Sequence, residues 1–302
     1  MRTRTFFPLA VVTVAALLAL GTAQARTVQQ QVAADPRGEV DVSDISGRIE
    51  ITGWDKPQVA VTADLDSDSQ QLEVRSDHGR TSIRVTRGSE GFFGWRGGDV
   101  RLEVHVPRES EVNASAVSAD ITARDISGSQ RLQSVSGDID AEIGAGANEV
   151  KSVSGEIHLK GSGGSSGSLR VTNVSGEVRV TNMPGDLDAT TISGKLDAQL
   201  ASAHSVRAHT TSGDLDLTAR LDRGGTIEAE TVSGEQHIAA SAAAGFQYEV
   251  RTFSGDIEDC FGQRSERTSE YGPGRRLDGT RGGGDGHIRI KSLSGDVSLC
   301  DH

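Results

Sequence analysis

Large aromatic side chains are scarce in this 302-residue chain: seven phenylalanines, two tyrosines and two tryptophans make up 4% of it. A conventional globular core of this size uses more rings, so the interior must be built from smaller side chains. Proline is also rare (6), and cysteine occurs only twice. Basic residues are outnumbered 31 to 43, a formal net charge of −12. That balance excludes nucleic acid as a partner, because phosphate binding needs a concentrated basic surface. A long apolar run is found once, from Phe6 to Leu20, and none occurs later that could stop transfer across a membrane. Glycine, by contrast, is abundant at 37 residues.

The one apolar run belongs to a leader. Arg2 and Arg4 precede it and Ala23-Gln24-Ala25 follows as a small-x-small cleavage site, which reads as a signal peptide over residues 1–25. Fifteen apolar residues are short for a bilayer span of about 20. No cysteine stands at the cleavage point, so a lipoprotein is not supported. The mature chain is expected to begin near Arg26, to carry 29 basic and 43 acidic residues for a net −14, and to have no stable membrane span. Its expected location is exported: the periplasm, the cell surface or the medium.

What remains is repetitive. Ser136-Gly137-Asp138-Ile139 recurs in variants at Ser118 (with Ala119), Ser154, Ser175, Ser193, Ser212, Ser233, Ser254 and Ser294, and from Ser118 to Ser254 the steps are 18 to 21 residues. A period near 20 is the signature of a solenoid, whose units bury their apolar side only by stacking. Within one unit, Asp138 to Ile143 alternates acid with Ile, Ala and Ile, the period-2 pattern of a half-buried strand. Gly144 to Asn148 breaks it, and a second short strand, Glu149 to Val153, leads to the next Ser154-Gly155. Two strands and two turns per unit predict an all-β fold, a parallel β-helix of about 20-residue coils with glycine at a crowded corner. The crossover preference of parallel strands makes it right-handed. Leucine-rich repeats share the period, but their leucines and asparagine are missing.

The domain reading is a signal peptide at 1–25, an irregular N-terminal β section and cap at 26–110, and regular repeats at 111–302 with an inserted loop at 261–286. Strand signals in the first section include Glu39 to Val42, Val59 to Thr62 and Val100 to Val106, and Ser46-Gly47 already carries the repeat phrase. Atypical terminal repeats are expected in a solenoid.

Several ordered phrases carry a family resemblance: SDISGRIEITGWDKPQVAV, then DVRLEVHVPRESEVNASAVSADI, then the VSGDI-like string, then GRRLDGTRGGGDGHIRIKSLSGDVSL. Together they resemble the bacterial adhesin-like family of β-strand repeat proteins, domain of unknown function 4097, over nearly all of the mature chain. The resemblance implies a β-helix-like fold in exported or membrane-associated bacterial proteins. It brings no functional residues with it.

Three features bear on function. Phe92, Phe93 and Trp95 gather in a glycine-rich connection, as either a binding tip for sugars or membrane interface or a cover for the first coil. Acids recur one residue after the corner glycine at Asp120, Asp138, Glu156, Glu177, Asp214, Glu235, Asp256 and Asp296, interrupted by Lys195. Such a row is a solvated face or, alternatively, a calcium-gathering ladder. Cys260 and Cys300 each follow a corner serine by six residues. On adjacent coils their Cα atoms stand near 5 Å apart, within disulfide range, whereas a coil between them would forbid the bond. An exported chain favours the bridge, with residues 261–286 looped out between them.

Chemistry is harder to find. Gly163-Gly164-Ser165-Ser166-Gly167 matches G-x-S-x-G in spelling, but it lies in a loop between strands and lacks the strand-turn-helix setting of a nucleophile elbow. The eight histidines show no metal-ligand spacing, and no phosphate loop or dinucleotide fingerprint is present, so no catalytic residue, metal or cofactor is assigned. The reading is a non-catalytic exported scaffold or adhesin-like binding protein whose partner is an envelope or surface component, protein or glycan. The alternatives are a carbohydrate-active β-helix enzyme and a calcium-dependent binding module.

Overall fold

The structure is a computed structural model that describes residues 26–67, 69–87, 99–163, 167–269 and 272–301. The expected signal peptide lies outside the described residues. Among those described the chain is all-β: strands follow one another without an intervening helix. The strand Ile139–Ile143 leaves the Ser136 corner, and Ala147–Ser154 runs on to the next corner. Alternation turns Ile139, Ala141 and Ile143 inward and leaves Asp140 and Glu142 toward solvent.

Successive coils pair in parallel and in register, giving a solenoid-like stack. Ile121, Ile139, Ile157, Val178, Leu196 and Leu215 stand one above the next. On the facing strand Leu132, Val150 and Val171 do the same. All of these are at most 1% exposed. Each such side chain contributes up to about 1.5–3 kcal/mol relative to exposure. One coil alone has nothing above or below its ladder, so the burial exists only in the stack.

The corners bring backbones unusually close. Gly213 has φ +148°, its N–H donates to the Ser233 carbonyl at 2.9 Å, and a Cβ on it would stand 1.9 Å from the carbonyl oxygen of Gly194. Only glycine fits such an approach in that conformation. Just before each corner the usual polarity inverts: Ser134, Ser152, Asn173, Thr191, Thr210 and Thr231 are buried. Four of them serve the turned backbone or one another, whereas the Ser152 and Thr191 hydroxyls are buried without a hydrogen-bond partner among the described residues. Asn173 Nδ2 donates to the Gly176 carbonyl at 3.2 Å, and the Thr210 and Thr231 hydroxyls meet at 2.8 Å.

Both ends depart from simple chain order. The strand Glu39–Trp54, which carries the Ser46 corner, has Glu111–Arg124 on one edge and Arg80–Arg87 with Val100–Pro107 on the other, all parallel. Beyond it the stack closes with antiparallel pairs. Gln70–Asp77 lies on Arg80–Arg87, Gln58–Leu65 lies on Val100–Pro107, and Arg26–Ala33 is outermost.

At the other end the structure corrects the expected looped-out insertion. Within residues 261–286, Arg275–Gly282 pairs antiparallel along Gly245–Ser254, as a cap rather than a solvated loop. That return strand covers one edge of Gly245–Ser254 and leaves open only the edge facing Leu215–Ser233. The last coil fills this slot. Gly286–Ser294 lies between Leu215–Ser233 and Gly245–Ser254, and Val297–Cys300 lies between Gln236–Ala242 and Ile257–Asp259. The corners therefore run Ser212, Ser233, Ser294, Ser254 along the stack. Cys260 and Cys300 are bonded across the last two coils, with Cα atoms 4.9 Å apart.

Two outcomes follow for stability. Gly213→Ala is expected to cost about 3 kcal/mol, because neighbouring backbone must shift, whereas Gly79→Ala, at φ +82° with nothing within 4 Å, costs about 1 kcal/mol. Equal losses in chemical denaturation would count against the close corner approach. The double change Cys260→Ser with Cys300→Ser removes a loop restraint worth up to about 4 kcal/mol in the chain-entropy model. Denaturation of the oxidised chain against this variant reads it, and coincident midpoints would contradict the bridge.

Candidate functional site

The corner geometry lays side chains out in rows. In the acidic row the aspartates act between coils: Asp120 Oδ1 accepts from the Asp138 N–H at 3.1 Å, Asp138 Oδ1 from Glu156 at 2.8 Å, Asp214 Oδ1 from Glu235 at 3.1 Å, and Asp296 Oδ1 from Asp256 at 2.8 Å. An ionised oxygen accepting a peptide N–H is among the stronger hydrogen bonds available to a surface. The short carboxylates thus fasten coil to coil. The longer Glu156, Glu177 and Glu235 lie beside His158, Arg179 and His237, two residues further along the chain.

A second row was not read from the sequence. Ile45, Val117, Val135, Val153, Val174, Ile192, Val232, Leu293 and Phe253 are between 38% and 60% exposed, and they are all of the exposed large hydrophobic residues among those described. Each immediately precedes a corner serine. The parallel registers of those serines, with the hydrogen bonds from Ser136 N to the Val117 carbonyl and from Ser154 N to the Val135 carbonyl, place the row one residue per coil. Only Thr211 interrupts it. The signal was present in parity: Val150 is buried, Lys151 exposed and Ser152 buried, so Val153 must face out.

The other sequence-derived candidates fare differently. Cys260 and Cys300 are joined. Phe92, Phe93 and Trp95 lie outside the described residues, as do Ser165 and Ser166. Of the rings that are described, Trp54 stacks on His105 at 5.0 Å with Lys56 Nζ 4.5 Å above it, and Phe246, Tyr248 and Phe261 cluster at 5.7 to 6.1 Å in the capped end. Among the described residues no group of three or more His, Cys, Asp or Glu side chains is placed to hold a metal ion. The calcium ladder therefore finds no such cluster there, and the aspartate oxygens have peptide partners instead.

A shallow groove of about 830 Å³ crosses the sheet near the capped end. Its floor is a cross-strand series, Arg207, Glu228, Arg289, Glu249 and Asp278, on five neighbouring strands. The last coil supplies the cations in the middle. Arg289 Nε is 3.5 Å from Glu249 Oε2, and Lys291 Nζ is 2.5 Å from Glu230 Oε1. The intercalated coil is thus matched in charge to both neighbours. The Lys291 ammonium beside Glu230 holds that carboxyl below the usual carboxylate range; His209 and Arg289 add to the effect and partial burial opposes it.

A carboxyl depressed in the folded state contributes stability above its unfolded pKa, and the contribution is lost as pH falls through the lower folded value. Glu230→Gln is therefore expected to lower unfolding free energy by about 0.5–1 kcal/mol near pH 7, with the difference vanishing as pH falls through the lowered folded value. Thermal melts near pH 7 and in acid check it, and a loss that persists once the carboxyl is protonated would contradict the ion pair as its cause.

The comparisons with known proteins bear on family and not on a site. No curated protein matches this chain. Among solved structures, a protein of Bacteroides fragilis provisionally named an adhesin shares 11% identity, with 92% of this chain and 98% of that one covered at a TM-score of 0.41. A protein of Parabacteroides distasonis provisionally named lipid-binding shares 13%, with 90% and 96% covered at 0.37. A cell adhesion protein of Clostridium sporogenes, also provisionally named, shares 8%, with 92% and 100% covered at 0.24. Superpositions this loose carry no functional argument. The sequence pattern of the Toastrack family, DUF4097, matches residues 39–244, and by that match the chain belongs to the Toastrack family.

Proposed function

We propose that the chain is an exported, non-catalytic scaffold of the bacterial envelope, an adhesin-like right-handed β-solenoid that binds an envelope or surface component, protein or glycan, through repeated rows. The single observation that supports this most is the in-register alignment of equivalent corners, from Ser46 and Ser118 through Ser233 and Ser294 to Ser254. A contact made weakly at one coil recurs at the next, so modest affinities sum along the stack. The right hand follows from the crossover preference of parallel strands. Export rests on the leader at residues 1–25. A cystine suits an oxidising compartment.

The reading is tested with isolated envelope fragments. The purified chain is expected to co-sediment with them saturably, and the triple variant Glu156→Gln, Glu177→Gln, Glu235→Gln is expected to bind several-fold more weakly. These glutamates are chosen because the peptide N–H groups between coils are held by aspartates, so the stack should survive their loss. No binding at any salt concentration would sink the scaffold. Release of reducing sugar from envelope glycans, abolished by a single carboxylate change, would replace it with a carbohydrate-active enzyme.

A further inference from the structure

The apolar corner row needs an explanation that stability does not provide. Its members are about half exposed and outside the core. β-Branched residues hold extended backbone well, but Leu293 and Phe253 are not β-branched, and threonine would serve that purpose and appears only at Thr211. Scattered exposed apolar residues need no cause; a continuous line of them marks a contact. With ten corners at roughly 4.8 Å spacing the row is about 43 Å long.

We propose that this row is the contact between two copies of the chain, packed side by side and parallel, with the twofold axis along the stack. A second copy has the same spacing between coils, so apolar residues meet at every level, whereas a partner of different period would match only locally. A strip of this length and roughly 15 Å width covers about 650 Å² per copy, close to the 800 Å² per partner of a standard interface. Flanking charges choose the direction. Two residues before the row on one side stand Lys151, Lys291 and Arg251; three residues after it on the other stand Glu156, Asp296 and Asp256.

A twofold axis along the stack sets each of these cations against the same level's acid on the partner, with Glu230 against Glu235 as the one like-charged level. The cations already touch a carboxylate of their own face, and the partner's acid becomes a second neighbour. The antiparallel alternative sets acid against acid at three pairs of levels, Asp120 with Asp296, Asp138 with Glu235 and Glu156 with Asp214, against two opposite-charge pairs, Arg48 with Asp256 and Glu177 with Lys195. Like charges so placed are unfavourable, so the parallel pair is selected. Such an interface is isologous and closed, giving a dimer and not a fibre.

Sedimentation equilibrium of the purified full chain in its oxidised form tests this. A dimer with dissociation in the micromolar range is expected. Val135→Lys, Val174→Lys and Val232→Lys together should weaken it at least tenfold and leave the circular dichroism and melting temperature near those of the parent. A chain that stays monomeric at about 100 µM, or a triple variant that dimerises unchanged, overturns the proposal. Ser136→Cys and Ser233→Cys, made separately, fix the direction. Each should cross-link to itself in a parallel pair, and cross-links found only in their mixture would overturn that arrangement. Envelope binding by the monomeric triple variant would show that the scaffold reading and the dimer fail or stand independently.

Discussion

The close approach of one corner to the next is the constraint on which the structure depends. Where Gly213 lies against Gly194 a Cβ would be only 1.9 Å from a carbonyl oxygen, so a side chain at that corner would push the coils apart. With glycine there, the peptide groups of neighbouring coils bond directly and every other residue is carried into register. The apolar ladder around Ile139 and Ile157, the aspartates that hold the next coil's N–H groups, and the outward apolar row are consequences of that register. None of them is a local property of one repeat.

A parallel stack must also end, and open edges invite pairing with other chains. Both ends use the same device: an antiparallel return strand covers the outer edge, and a coil from elsewhere in the sequence sits beneath it. At the N-terminal end Glu39–Trp54 is enclosed in this way, and at the C-terminal end Gly286–Ser294 is. The enclosed last coil is matched to its neighbours by charge, with Arg289 and Lys291 between Glu249 and Glu230, and held by the cystine.

Much of this was legible in the sequence because position around a coil is written as phase. The common phase of Cys260 and Cys300 gave their pairing, and the alternation from Asp138 to Ile143 gave the buried ladder. Order along the stack is not written that way. Ser254 and Ser294 have the same phase whichever lies outermost, and only the pairing of Arg275–Gly282 with Gly245–Ser254 decides the matter. The apolar row was legible in principle, since the apolar residue before all corners but Ser212 breaks the polarity of its strand, but a repeat phrase read as a motif conceals that parity. The aromatic group at Phe92, Phe93 and Trp95 lies outside the described residues.

Pairs of spin labels on corner serines measure the stack directly. With one label at Ser118→Cys and the other moved through Ser154, Ser193, Ser233, Ser294 and Ser254, the separation should grow in steps of roughly 4.8 Å per coil, and Ser294 should lie nearer than Ser254. Distances that fail to increase evenly, or a Ser294 label farther away than Ser254, would contradict both the common register and the enclosed last coil.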